Sequence, residues 1–180
     1  MNSPDNMQVS EVALSQIFWQ IDRQVKANLS RVLAAMGKHR VGSHHFASVS
    51  GYGHNDLGRA TLDRVFADVM QAEAAAVRVQ LVSGTHAIAC ALFGVLRPGD
   101  ELLAVAGSPY DTLEEVIGLR GNHQGSLKEF GVTYCELPLT IDASVDWESL
   151  EQAIKPETRL VLIQRSCGYR WRRRLTIAEI

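Results

Sequence analysis

The chain is poor in the residues that would staple it, thread it through a bilayer or wrap it around a polyanion. Its three cysteines, Cys90, Cys135 and Cys167, are odd in number and widely spaced, and they form no C-x-x-C pair. Neither a disulfide framework nor a zinc site is expected, and Cys90 and Cys135 read as reduced core residues. No apolar run approaches the roughly 20 residues needed to span a bilayer, so no membrane partner is expected. The polar start MNSPDNMQVS lacks the basic and then apolar profile of a signal peptide, which leaves a cytoplasmic address as the expectation. Neither sign of charge dominates, since the formal net charge is -2, and a nucleic-acid partner is disfavoured on that ground. There is no GxxxxGK[ST] and no GxGxxG after a strand, so neither a P-loop nor a dinucleotide fingerprint is present. Lysine is scarce, at four positions: Lys26, Lys38, Lys128 and Lys155.

What the chain has is core material and an alternating pattern. Hydrophobic residues make up 46% of its 180 positions. From Val12 to about Met36 they recur at helical spacing (Val12, Ile17, Ile21, Val25, Leu29, Val32, Leu33), which predicts one long amphipathic helix or two abutting ones and sets off residues 1–40 as a helical segment. A Gly, Ser and His-rich loop follows. Asn55 or Asp56 can cap the next helix, whose stripe is Leu62, Val65, Phe66, Val69 and Met70. Residues 41–180 then read as an α/β layer: strand VRVQLV, helix from Gly84, strand ELLAVA, helix from Asp111 to Ile117, strand VTYCELPL, helix from Trp147 to Ile154, strand RLVLIQ. Short apolar strands separated by helices predict a parallel-rich sheet with flanking helices. Ligands in such folds gather beyond the carboxyl ends of the strands. The last residues, LTIAEI, place Thr176 three positions before Glu179, a capping-box start whose helix has only one turn. The chain therefore reads as the front part of a longer domain.

Three strand-end segments hold the candidate chemistry. Ser83-Gly84-Thr85-His86 opens a helix, where unpaired amides and the positive dipole end suit an anion. Ser83 or Thr85 acting simply as a cap explains the same residues. Tyr110 follows Gly107, Ser108 and Pro109 at the next strand end, placed either for packing or for stacking on a planar ligand. QRSCGYRWRRR sets five arginines within ten residues, with Arg165 directly after the strand, and reads as a local anion clamp or an exposed loop. In the His-rich loop, Tyr52, His54 and Arg59 cluster, and an arginine opening a helix suits bidentate phosphate binding. His44 and His45 point apart in extended chain and have no carboxylate or cysteine at ligand spacing, so no metal is expected.

The run GYGHNDLGRATLDRVFADVMQAEAAAVR, followed by QLVSGTHAIACALFGVLRPGDELLAVAGSPYDTLEEVIG and by IQRSCGYRWR, resembles the methionine gamma-lyase-like family, also labelled aluminium resistance proteins. These are fold-type I pyridoxal-phosphate enzymes, relatives of cystathionine lyases and aminotransferases. The resemblance covers the chain from about Val12 onward, and SGTHA and SPYDTLEE are its most specific blocks. It implies a partial large domain of the aspartate aminotransferase-like fold and carbon-sulfur lyase chemistry on methionine, cystathionine or a related amino acid. Gly84 and Thr85 would bind the phosphate of pyridoxal 5'-phosphate with His86 beside them, and Tyr110 would stack on its ring. Tyr52 and Arg59 would reach a neighbouring subunit's phosphate in a homo-oligomer. Arg165, Ser166 and Tyr169 would border the substrate.

The resemblance also marks a gap. The family needs a Schiff-base lysine and an acidic partner for the pyridinium nitrogen. None of the four lysines stands at the matching position, so no catalytic residue is assigned and the chain alone should not complete the reaction. A remnant or binding module that retains phosphate affinity without chemistry is the alternative.

Overall fold

The computed structural model describes residues 4–50, 52, 54, 56–166 and 171–180, with side chains from residue 14 onward. The chain divides into two compact units, 1–80 and 81–180.

The first unit is helical. α1 runs from Pro4 to Lys38 and α2 from Leu57 to Met70. Of the predicted stripe only Val32 is partly covered, near the buried Ala35, while Ile17, Ile21, Val25, Leu29 and Leu33 remain exposed. From α2 the buried residues are Thr61, Val65 and Ala67. Lys38 Nζ and His39 Nε2 close on the Asp68 carboxylate at 2.9 and 2.6 Å and staple the two helices. As expected, Asp56 caps α2, its carboxylate accepting the Arg59 N–H at 2.9 Å; Asn55 lies outside the described residues. The loop between the helices contains a 3-10 turn, Ser43–Phe46. This turn presses its backbone on α2, since a Cβ on Gly58 would stand 2.3 Å from the His45 carbonyl oxygen. The turn also corrects the reading of His44 and His45 as diverging: their rings lie 3.9 Å apart, because the segment is coiled rather than extended.

The strand expected at residues 77–82 does not form. Val79 and Val82 are 90% and 82% exposed. The Val77 N–H donates instead to Asp63 Oδ1 at 2.7 Å, and Arg78 Nη1 grips both Asp63 oxygens at 2.6 and 2.8 Å. Strand propensity in an apolar run becomes a strand only where a neighbour completes the ladder, and a side chain has taken this segment's first donor.

The second unit is a three-stranded parallel sheet with flanking helices: α3 (Gly84–Val95), β1 (Glu101–Ala104), α4 (Asp111–Ile117), β2 (Thr133–Glu136), α5 (Trp147–Ala153) and β3 (Thr158–Leu162). The strand order is β2-β1-β3, with β1 parallel to both neighbours. The period of two along a strand divides the core into two layers. On one face Leu102, with Tyr134, Leu160 and Leu162, meets Leu92 and Leu96 of the α3 region and Leu113 and Ile117 of α4. On the other, Leu103 and Val105, with Cys135 and Ile163, meet Leu150 and Ala153 of α5 together with Leu175. A sheet covered on both faces explains why β1 reads as a continuous apolar run rather than an alternating one. Cys90 departs from the expected core position and is exposed, because two residues before Leu92 is about 200° around the helix. Cys135 is half-buried.

Glu101 opens β1 as a buried carboxylate beside a register shift against β3. Burial pushes its carboxyl up, but Lys155 Nζ and the Thr158 hydroxyl, each at 2.7 Å, outweigh it and hold the group below its ordinary value. A carboxyl lowered on folding adds stability that is complete above its unfolded pKa and disappears as pH falls through the folded one. Glu101→Gln is therefore expected to cost about 1–3 kcal/mol at neutral pH. Urea melts should show that difference closing as the pH drops below the ordinary carboxylate range. Gly118 ends α4 at φ +96°, and a Cβ there would stand 2.5 Å from Ser126 Oγ and 2.9 Å from Lys128 Cβ. Gly118→Ala should lower stability by roughly 1–3 kcal/mol, read as an earlier urea midpoint.

Candidate functional site

The carboxyl edge of the sheet gathers the second unit's candidate residues. Ser83 caps α3, its hydroxyl accepting the His86 N–H at 3.0 Å, so the cap reading of this turn holds. That bond satisfies one of the orphan amides of a twelve-residue helix and leaves others. Among the described residues no acceptor meets the N–H of Gly84 or of Thr85. A Cβ on Gly84 would find no atom within 4 Å, so the approach to these amides is open. His86 is exposed, and its Nδ1 accepts the Val82 N–H at 3.4 Å, which lays the imidazole along the turn.

Thr85 links this turn to the next strand end. Its Oγ1 lies 2.8 Å from Thr112 Oγ1 in the first turn of α4. Two residues earlier, Tyr110 leaves the end of β1 and caps α4 in extended conformation, with φ -60° and ψ 143°. Ser108 Oγ donates to Glu114 at 2.9 Å and orders the approach to it. The Tyr110 N–H donates to Gln164 Oε1, beyond β3, at 2.8 Å. The structure thus brings Gly84, Thr85, His86 and Tyr110 to one edge. Thr112 and Gln164, which make those links, escaped the sequence reading. Thr112 sits in the SPYDTLEE block and Gln164 ends an expected strand, so position was the only available signal.

The arginine-rich segment has a different task from the one its charge suggests. Arg165 Nε donates to the Leu175 carbonyl at 3.1 Å, and the Leu175 N–H returns to the Arg165 carbonyl at 3.1 Å. Arg172 Nη2 donates to the carbonyls of Gln164 and Ser166 at 3.1 and 2.7 Å. Arg173 donates to the Asp142 carbonyl, to Ser144 Oγ and to Glu179. Glu179 also takes the Thr176 N–H and hydroxyl at 2.7 and 2.6 Å, so the predicted capping pair forms, and its carboxyl falls to about 2. The guanidiniums of Arg165, Arg172 and Arg173 tie chain segments together. Ser166 is exposed beside them, and Tyr169 lies outside the described residues.

Within the first unit, Tyr52 and Arg59 share a polar cleft of about 400 Å³ with His54, Asp56, Asp63 and Arg78. Tyr52 is 84% exposed at its mouth. The Arg78 side chain, with help from the field of Arg59, holds the Asp63 carboxyl below its ordinary value against the opposing effect of burial. Among the described residues no group of three or more His, Cys, Asp or Glu is placed to hold a metal ion, and no helix is long and apolar enough to cross a membrane.

Known proteins share this architecture. The chain is 48% identical over 171 residues to the uncharacterized protein YnbB of Bacillus subtilis (strain 168), covering 94% of this chain and 41% of that one. A crystal structure from Listeria innocua, provisionally named a cystathionine beta-lyase involved in aluminum resistance, superposes with a TM-score of 0.91 at 42% identity, over 99% of this chain and 44% of that chain. A carbon-sulfur lyase involved in aluminum resistance from Clostridium novyi NT gives a TM-score of 0.87 at 42% identity, over 98% and 43%. The chain spans less than half the length of these relatives. The sequence profile of methionine gamma-lyase matches residues 4–180, nearly the whole chain, and with these likenesses it establishes that the chain belongs to the methionine gamma-lyase family.

Proposed function

We propose that this chain is the N-terminal, cofactor-binding part of a pyridoxal-phosphate-dependent carbon-sulfur lyase for sulfur amino acids, built on the aspartate aminotransferase-like fold. One observation carries the reading: open amides at Gly84 and Thr85 stand at the same sheet edge as Tyr110. The donor set fits the group. Amides and a hydroxyl at the start of a twelve-residue helix suit a phosphate dianion, and the missing Cβ of Gly84 permits close backbone approach. The chemistry that bound pyridoxal phosphate supplies is an electron sink for carbanion formation next to the substrate amine.

The residues of this chain have binding and orienting parts in that scheme. Gly84 and Thr85 hold the phosphate, His86 flanks it, and Tyr110 offers its ring face to the pyridine. Arg165, Ser166 and Tyr169 border the substrate side. Tyr52 and Arg59, with Tyr52 exposed at the mouth of its cleft, reach toward a second copy's phosphate in a cytoplasmic homo-oligomer. No lysine of the second unit stands at the carboxyl edge. Lys155 pairs with Glu101 at the start of β1, and Lys128 lies against Gly118 at the far end of α4. Lys26 and Lys38 belong to α1. That geometry favours a second reading for this chain taken alone: a phosphate-binding or cofactor-binding module that does not itself turn over substrate.

Titration of the chain with pyridoxal phosphate, followed by absorbance, tests the proposal. Reversible binding is expected, with borohydride reduction labelling no single lysine. Gly84→Ala should leave the melting temperature unchanged, since its Cβ meets nothing in the fold, and weaken binding about tenfold or more by blocking the approach to the amides. Absence of binding, or equal binding by this variant, would overturn the assignment.

A further inference from the structure

Tyr110 is pinned through both of its backbone groups. Its carbonyl accepts the N–H groups of Leu113 and Glu114 at 2.8 and 3.0 Å, as the cap of α4. Its N–H crosses to another strand end and donates to Gln164 Oε1 at 2.8 Å. The Gln164 amide is held in one orientation, because only its oxygen can accept that N–H, while its Nε2 donates to the Ser166 carbonyl at 3.3 Å. Arg172 Nη2 then grips the Gln164 and Ser166 carbonyls themselves. The series of bonds from Arg172 through Gln164 forms one hydrogen-bonded support of the Tyr110 backbone.

The direction in which an aromatic ring leaves the backbone follows from the Cα–Cβ bond, and two side-chain torsions complete its placement. Tyr110 comes at the end of the Gly107–Pro109 loop, where Gly107 has φ +73°, so strand β1 does not by itself set that bond's direction. We propose that Gln164 is a positioning residue: through the Tyr110 N–H it sets the face that Tyr110 offers to the pyridine ring, in register with the Gly84 and Thr85 amides. The Thr85–Thr112 hydroxyl contact fixes the same register from the phosphate side. This inference rests on the cofactor reading above.

The test compares the wild-type chain with Gln164→Leu and Gln164→Glu by four readouts: affinity for pyridoxal phosphate, induced circular dichroism of the bound chromophore, affinity for inorganic phosphate, and thermal melting. Gln164→Leu should weaken pyridoxal-phosphate binding about tenfold, the worth of one hydrogen bond, and abolish the induced dichroism. Its phosphate affinity and melting temperature should stay at wild-type values. Gln164→Glu retains an oxygen for the Tyr110 N–H and should restore both affinity and dichroism. Undiminished affinity and dichroism in Gln164→Leu overturn the inference while leaving the cofactor reading intact. Parallel loss of phosphate binding and melting temperature overturns it too, by making Gln164 a residue of the fold. If the wild type binds phosphate but not pyridoxal phosphate, the cofactor reading fails and this inference fails with it.

Discussion

Leu102 and Leu103 point to opposite faces of β1, and both are fully buried. Each is sealed by a different layer, with α3 and α4 over one and α5 with Leu175 over the other. The same strand is paired on both edges, so its amides and carbonyls are satisfied without water. Among the described residues no other element of the second unit is enclosed in this way. Because β2 and β3 both run parallel to this strand, the loops that leave β1 and β3 emerge at one edge. That edge brings Tyr110 and Gln164 within hydrogen-bonding distance, so the site is a consequence of β1's burial.

A helix start presents several orphan amides, and the Ser83 turn shows that a cap satisfies only one of them. The Ser83 hydroxyl takes the His86 N–H, one position along the helix from Thr85, and thereby stabilises the first turn. Gly84 and Thr85 keep their amides facing outward. The two readings of this turn were never exclusive, because one side chain satisfies one donor and the helix presents several. A similar division holds in the arginine-rich segment, where Arg165, Arg172 and Arg173 turn donors back onto their own chain while Arg165 and Arg173 stay exposed. Arg165 and Arg172 donate to backbone carbonyls of the irregular chain beyond β3, and Arg173 to the Asp142 carbonyl between β2 and α5. Charged donors are the stronger partners for such carbonyls, which gives arginine a structural use that composition cannot distinguish from anion binding.

Much of the fold was legible because its cues are local. Asp56, Ser83 and Thr176 all form their expected capping contacts three residues along, and α4 has the predicted bounds. β1 and β2 lie inside predicted apolar runs, and β3 begins one residue before its run and ends within it. The failures share one cause, since each depended on a partner distant in sequence or on how much surface a neighbour covers. Residues 77–82 have the composition of a strand, yet Asp63 captures the Val77 N–H and the grip of Arg78 completes a different contact. Cys90 lies in an apolar helix whose core-facing stripe passes on the other side.

The sequence by itself determined the starts of α2 to α5, the alternation of helices and strands from α3 onward, and the motif blocks that mark the methionine gamma-lyase family. These are set by contacts spanning a few residues or by residue identities read directly. Only the tertiary structure decided that Gln164 supports Tyr110 across 54 positions and that Thr112 meets Thr85 across 27. It also decided that Arg165, Arg172 and Arg173 serve carbonyls of their own chain. A single hydrogen bond between such distant groups leaves no periodic trace in the chain, and it forms because parallel strands around a buried centre deliver their ends to one place.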